Sequence, residues 1–231
     1  MIRSTLSRRL LTCAGLSAGL ALGGCVTLLP KTAPVQLYRF DVAEAGQADQ
    51  AVANSAAIWV HRAPTSFARG AEGDQILTIT GDQAAYIAGA RWVAPAGALF
   101  DDAESHVFDR SSGPVRLGRR GEVGAAALNL RLDVETFEAR YVEGAGSAPT
   151  IVVQVRASLD RVADRTPVAT RMFESRKKAS SNNVGAIVPQ FDAALSEVLG
   201  QVVDWTNAEA AQSAATPASA STASASVKPG P

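Results

Sequence analysis

The sequence predicts an α+β fold: a mainly antiparallel β-sheet with two main α-helices packed on one side, in a single domain. Three patterns carry this reading. Segments 128–141 and 151–159 alternate apolar and polar residues with period two, the mark of half-buried strands. Phe191, Leu195, Val198, Leu199, Val202 and Trp205 recur at helical spacing and form one apolar stripe. The order strands, helix, strands, helix suits helices gathered on one face of an antiparallel sheet.

Ahead of the domain, the chain begins MIRSTLSRRLLTCAGLSAGLALGGC. Arg3, Arg8 and Arg9 make a basic start, and an apolar and small-residue run follows from Leu10 to Gly24. Its length and flanks fit a secretory signal and are too short for a spanning helix. The run ends in Leu22-Gly23-Gly24-Cys25, which resembles the lipobox of bacterial lipoproteins. The resemblance implies lipidation of the Cys25 sulfur, cleavage before it and acylation of the new amine. Leu suits an apolar peptidase pocket, the glycines let the backbone thread a narrow site, and a thiol is needed for the thioether. Three acyl chains, at roughly 0.8 kcal/mol per buried CH2, exceed the two-signal minimum for stable anchoring. Val26 stands where an Asp would resemble an inner-membrane retention signal, and so points to onward transport to the outer membrane.

Cys13 leaves with residues 1–24, so the mature chain holds one cysteine, blocked by lipid. A disulfide, a thiol nucleophile and a Cys-based metal site are thereby excluded. Lys+Arg falls from 22 to 19 against 22 Asp+Glu, taking the net charge from 0 to −3. No strong basic field remains, which argues against a nucleic-acid partner. Hydrophobic content of 47% with 19% charged residues suits a domain able to bury a core.

Residues 25–34, with two prolines, form a lipidated tether. Val35–Val42 and Ala57–Ala63 read as the first two strands, the second stopped by Pro64. Ile76–Thr80 and Ala84–Ala88 read as a hairpin across Gly81-Asp82. Pro95 can open a helix in its first turn, and Leu99, Ala103 and Val107 continue it to Arg110, before Ser111-Ser112-Gly113-Pro114. Val115–Leu117 is a short strand and 119–122 a turn. From Leu128 to Val134 the even positions are apolar; after that the apolar parity moves to Phe137, Ala139 and Tyr141. One extra residue near Glu135–Thr136 restores a common face, so a bulge is expected there. Gly144–Ser147 loops into the next strand, and Ala169–Ala179 makes a third long one with Met172 or Phe173 inward. Its Arg176-Lys177-Lys178 end suits an exposed edge. In the final helix Asn182-Asn183 can cap an early start, and Pro189 marks its first turn or a kink. The domain then spans 35–207, and 208–231, rich in Ala, Ser and Pro, is read as a disordered tail.

Several of these patterns stand in a familiar order: Leu37-Tyr38-Arg39-Phe40, Pro64, Arg91-Trp92-Val93-Ala94-Pro95, Leu128–Leu132 and Trp205. From Cys25 to about Thr206 the chain resembles the ABC-type transport auxiliary lipoprotein family, although Val93-Ala94 replaces the usual Ala-Glu and the tail is outside the pattern. The resemblance implies a lipid-anchored protein on the periplasmic face of the outer membrane. There it would work by docking or scaffolding with an MCE-domain protein and an ABC permease/ATPase in lipid transport. The chain has no phosphate-binding loop of its own, in keeping with ATP hydrolysis elsewhere. The alternative is an envelope-assembly lipoprotein unrelated to transport.

Candidate partner-binding residues are Arg91 and Trp92, since Trp and Arg are enriched at interface centres, and Arg176, Lys177 and Lys178 at the sheet edge. Trp92 also fits a core anchor at the helix start, the preferred reading, as does Trp205; Trp59 is left unassigned. Asp102 and His106 are four apart on one helix face, but zinc needs further ligands, and a solvated face is the better reading. No Gly-x-Ser-x-Gly elbow is present. No enzyme activity, metal or cofactor is expected.

Overall fold

The structure, a computed structural model, describes residues 34–40, 57–118 and 126–215. The signal segment, Cys25, most of the tether, the 119–122 turn, and the tail from 216 lie outside the described residues. The described elements fall in the unit that begins at Val35.

β7 (Leu128–Arg140) is the spine of a sheet with nine strands among the described residues. Leu128, Leu130, Leu132 and Val134 point inward, and the register slips by one residue between Val134 and Thr136. This is the expected bulge. It turns Phe137 and Ala139 to the same face that Val134 serves. One edge of β7 takes β8 (Thr150–Arg161) in a full antiparallel ladder, and β9 (Pro167–Lys178) adds antiparallel to β8. Ile151, Val153, Val155, Ala157 and Leu159 are wholly buried on the inner face of β8. In β9 it is Phe173 that points inward, while Met172 is exposed.

The other edge of β7 is shared by three short strands, laid end to end and all parallel to it. β2 (Ile58–Arg62) pairs at Leu128–Leu130, β3 (Ser66–Phe67) at Asp133–Val134, and β4 (Gln75–Thr80) at Ala139–Arg140. β6 (Val115–Gly118) adds parallel to β2. β5 (Gln83–Trp92) returns antiparallel to β4 through Gly81, whose φ of 56° is a left-handed value that glycine adopts freely. β1 (Gln36–Tyr38) closes that side, parallel to β5. The long ladders are antiparallel, as expected; the parallel pairings all involve short strands.

The two helices among the described residues lie against the inner face. α1 (Ala96–Arg110) starts one residue after Pro95, and its first N–H groups are met by the carbonyls of Gly73 and Glu72 at 2.9 and 3.2 Å. α2 (Val184–Ala215) is capped by Asn183, whose Oδ1 accepts from the Ala186 N–H at 2.9 Å. Pro189 sits inside the helix, past its first turn. α2 packs on β8 and β9 and touches α1. It runs to Ala215, so residues 208–215, assigned by sequence to the tail, are helical, with Ala210 buried. An established helix extends cheaply through alanine, the strongest helix former, so this stretch needs little burial of its own.

The bulge has a consequence for the core. Phe137 becomes the hub of an aromatic cluster, its ring 4.9 Å from Phe191, 5.3 Å from Phe40, 5.5 Å from Phe67 and 6.2 Å from Trp92. This cluster ties the segment just after β1 to β3, β5, β7 and α2.

Candidate partner-binding surfaces

Arg91 and Trp92 end β5, opposite Leu37 and Tyr38 of β1. Trp92 is 2% exposed, with T-shaped contacts to Phe40 at 5.0 Å and Phe191 at 5.3 Å. Its side chain serves the core and offers no surface to a partner. Arg91 stays at the surface, held by both carboxylate oxygens of Asp74 at 2.9 Å. The two candidates therefore divide: adjacent strand positions send one inward and one outward.

Arg176, Lys177 and Lys178 close β9, which pairs with β8 alone. The opposite edge of β9 takes no strand among the described residues. Each cation has a carboxylate. Arg176 Nε is 2.5 Å from Glu174, Lys177 Nζ is 2.5 Å from Glu197 of α2, and Lys178 Nζ is 2.9 Å from Glu143 in the β7–β8 loop. Lys177, with the Ser175 hydroxyl donating at 2.9 Å, holds the Glu197 carboxyl below its ordinary range; Arg176 does the same for Glu174. The cations decorate an edge of the kind to which a further strand can add.

A third charged site was not singled out from the sequence. Arg62 of β2 reaches across to α1, where its Nε donates to Glu104 Oε2 at 2.6 Å and its terminal nitrogen pairs with Asp101. Glu104 is 1% exposed. Burial pushes its carboxyl up to about 7, against the opposing pull of Arg62. Asp101 offers the same guanidinium a second carboxylate, so Arg62 stays neutralised when Glu104 takes a proton. The available signal was position: Glu104 lies four residues after Phe100 and four before Phe108, both buried on the inward stripe of α1. Its acidic neighbours made it look solvated.

Asp102 and His106 are exposed on α1, and among the described residues no group of three or more His, Cys, Asp or Glu side chains is arranged to hold a metal. Trp205 is 7% exposed and packs on Phe173 at 5.8 Å. Trp59, left unassigned by the sequence, is 40% exposed beside the buried Val60.

The fold has solved counterparts. A crystal structure of protein XCC0632 from Xanthomonas campestris superposes with a TM-score of 0.64 at 24% identity, covering 78% of this chain and all of that one. A crystal structure of an uncharacterized protein gives 0.57 at 11% identity, covering 75% of this chain and 99% of that one. At these identities the likeness is one of fold. No curated protein matches the chain. The family model described as the ABC-type transport auxiliary lipoprotein component matches residues 38–203, from β1 through both helices into the second half of α2. The chain belongs to the ABC-type transport auxiliary lipoprotein family.

Proposed function

We propose that this protein is the outer-membrane accessory lipoprotein of an MCE-type ABC lipid transport system. In this reading a lipid on Cys25 holds the domain at the membrane, and the domain acts by docking or scaffolding in the periplasm and has no catalytic role. The observation that carries the proposal is the family match across the sheet and both helices, on a chain whose N-terminus ends in Leu22-Gly23-Gly24-Cys25. The surface supports docking in one specific way. Among the described residues the outer edge of the 12-residue β9 pairs with no strand, and that edge is long enough for a strand from an MCE-domain protein or the permease to add to it.

Two experiments test this. Cys25→Ala should abolish labelling by radioactive palmitate and release the protein from outer-membrane fractions. Combined charge reversal of Arg176, Lys177 and Lys178 to Glu should place three anions beside Glu174, Glu197 and Glu143. It should also reduce co-purification of the MCE partner after in-cell crosslinking. Unchanged capture by a variant with a wild-type unfolding temperature counts against edge docking. Capture of an outer-membrane barrel assembly in place of MCE and permease proteins counts against the transport role itself.

A further inference from the structure

On the face of the sheet away from the helices, a half-open groove of about 390 Å3 runs where β2, β7 and β8 meet the β8–β9 turn. Its lining includes His61, Asn129, Arg131, Asp160, Arg161 and Arg165. Three arginines elsewhere on this face stand against carboxylates, Arg140 on Glu138, Arg156 on Glu135 and Arg176 on Glu174, while Arg116 is held by the carbonyls of Gly113 and Val115. In the groove the balance differs. Arg131 has Asp160 at 2.8 Å, but among the described residues the carboxylate facing Arg161 is Asp164, at 4.0 Å. That contact uses Asp164 Oδ2, while Asp164 Oδ1 accepts from the backbone N–H and hydroxyl of Thr166, at 3.1 and 2.7 Å. The Arg165 guanidinium has no hydrogen bond or ion pair among the described residues. Three guanidiniums therefore face two carboxylates, with the His61 ring and the Asn129 amide as added donors.

Arg165 also stands where an arginine is costly. Its φ is 59°, the one left-handed value outside glycine among the described residues. A non-glycine residue there costs roughly 1–2 kcal/mol. The turn itself is fixed by backbone bonds: Arg165 N–H to Arg161 C=O, Arg161 N–H to Thr166 C=O, and Val162 N–H to Ala127 C=O, each 2.9 Å. Glycine would satisfy all three without strain. The sequence instead places an unpaired guanidinium at this position, on the rim of a cationic groove.

The geometry points to an anion site for a phosphate group, formed by Arg131, Arg161 and Arg165 with Asn129 and His61. Planar forked guanidiniums match tetrahedral oxyanions with paired hydrogen bonds. The groove is of small-ligand size, and the half-exposed Val162 on its wall gives the aliphatic part of a phosphate ester an apolar contact. The site stands apart from the β9 edge and does not rest on the docking role.

The test is titration of the full chain in detergent at fixed salt with two probes, inorganic phosphate and short-chain phosphatidylglycerol below its micelle concentration. The comparison is between wild type, Arg165→Gly and Arg161→Ala. Arg165→Gly is expected to bind about tenfold more weakly while unfolding at the same or a higher temperature, because it relieves the turn. A purely structural role would move stability and leave binding alone. Tighter binding of the lipid assigns the site to a headgroup; equal or tighter binding of inorganic phosphate assigns it to a soluble anion. Wild-type failure to bind either probe, or equal binding by wild type and both variants, overturns the site.

Discussion

Replacing Glu104 with glutamine tests the balance between burial and ion pairing at the β2–α1 contact. The wild-type carboxyl, 1% exposed, is pushed from its ordinary 4.5 to about 7. The folded state therefore holds a proton that the unfolded chain gives up once pH exceeds 4.5. Stability contributed by Glu104 is full below pH 4.5 and falls as pH rises to about 7, at about 1.4 kcal/mol per pH unit. Over that window the loss amounts to about 3 kcal/mol. Glutamine keeps an acceptor for Arg62 and cannot ionise. The variant should match wild type near pH 4.5 and exceed it by about 3 kcal/mol at pH 8. Urea unfolding followed by far-UV circular dichroism at the two pH values measures this directly. The reasoning fails if the variant is 3–5 kcal/mol less stable than wild type at pH 8, the cost of leaving Arg62 without its buried anion. That result would mean the 2.6 Å pairing outweighs desolvation.

Other substitutions probe the fold and its caps. Phe137→Ala removes the hub of the aromatic cluster and should cost about 3–5 kcal/mol in chemical denaturation. Asn183→Ala removes the cap on α2 and should cost about 1 kcal/mol, seen as a lower thermal midpoint. Gly113→Ala places a Cβ 2.3 Å from the Asn207 side-chain amide, which accepts from the Val115 N–H at 2.9 Å. Displacing that amide should cost about 1–3 kcal/mol. A double-mutant cycle with Asn207→Ala should show the two losses overlapping by at least about 1 kcal/mol; simple additivity would mean the amide moves aside freely.

Period-two and helical patterns are written wherever one long element buries one face, and these were legible. The parity flip after Val134 placed the bulge near Glu135–Thr136, and the register shifts between Val134 and Thr136, because a strand cannot change its buried face without one. Pairing direction was not legible. β2, β3 and β4, of 5, 2 and 6 residues, share one edge of β7, and none is long enough for its pattern to reveal a parallel partner. Their placement depends on where the chain returns after α1 and β6, which is a tertiary matter. The extension of α2 through 208–215 was missed for a different reason. Small residues there lack a hydrophobic stripe, and composition alone does not register that the preceding turns have already met the cost of nucleation.

At the candidate surfaces, the sequence showed residue types and hid their pairing. Arg176-Lys177-Lys178 reads as a cationic run, yet the three side chains meet Glu174, Glu197 and Glu143, which come from β9 itself, α2 and the β7–β8 loop. Such exposed pairs are worth about 0–1 kcal/mol each, so they do little to hold the fold. What they change is the field along the edge, which is close to neutral with the pairs intact and turns anionic on charge reversal. A partner strand approaching β9 is therefore guided mainly by backbone hydrogen bonding and by the few side chains that alternate along it. Charge neutralisation to Gln should then disturb docking far less than reversal to Glu. Equal loss of the partner with both sets would instead identify the cations themselves as the recognised groups.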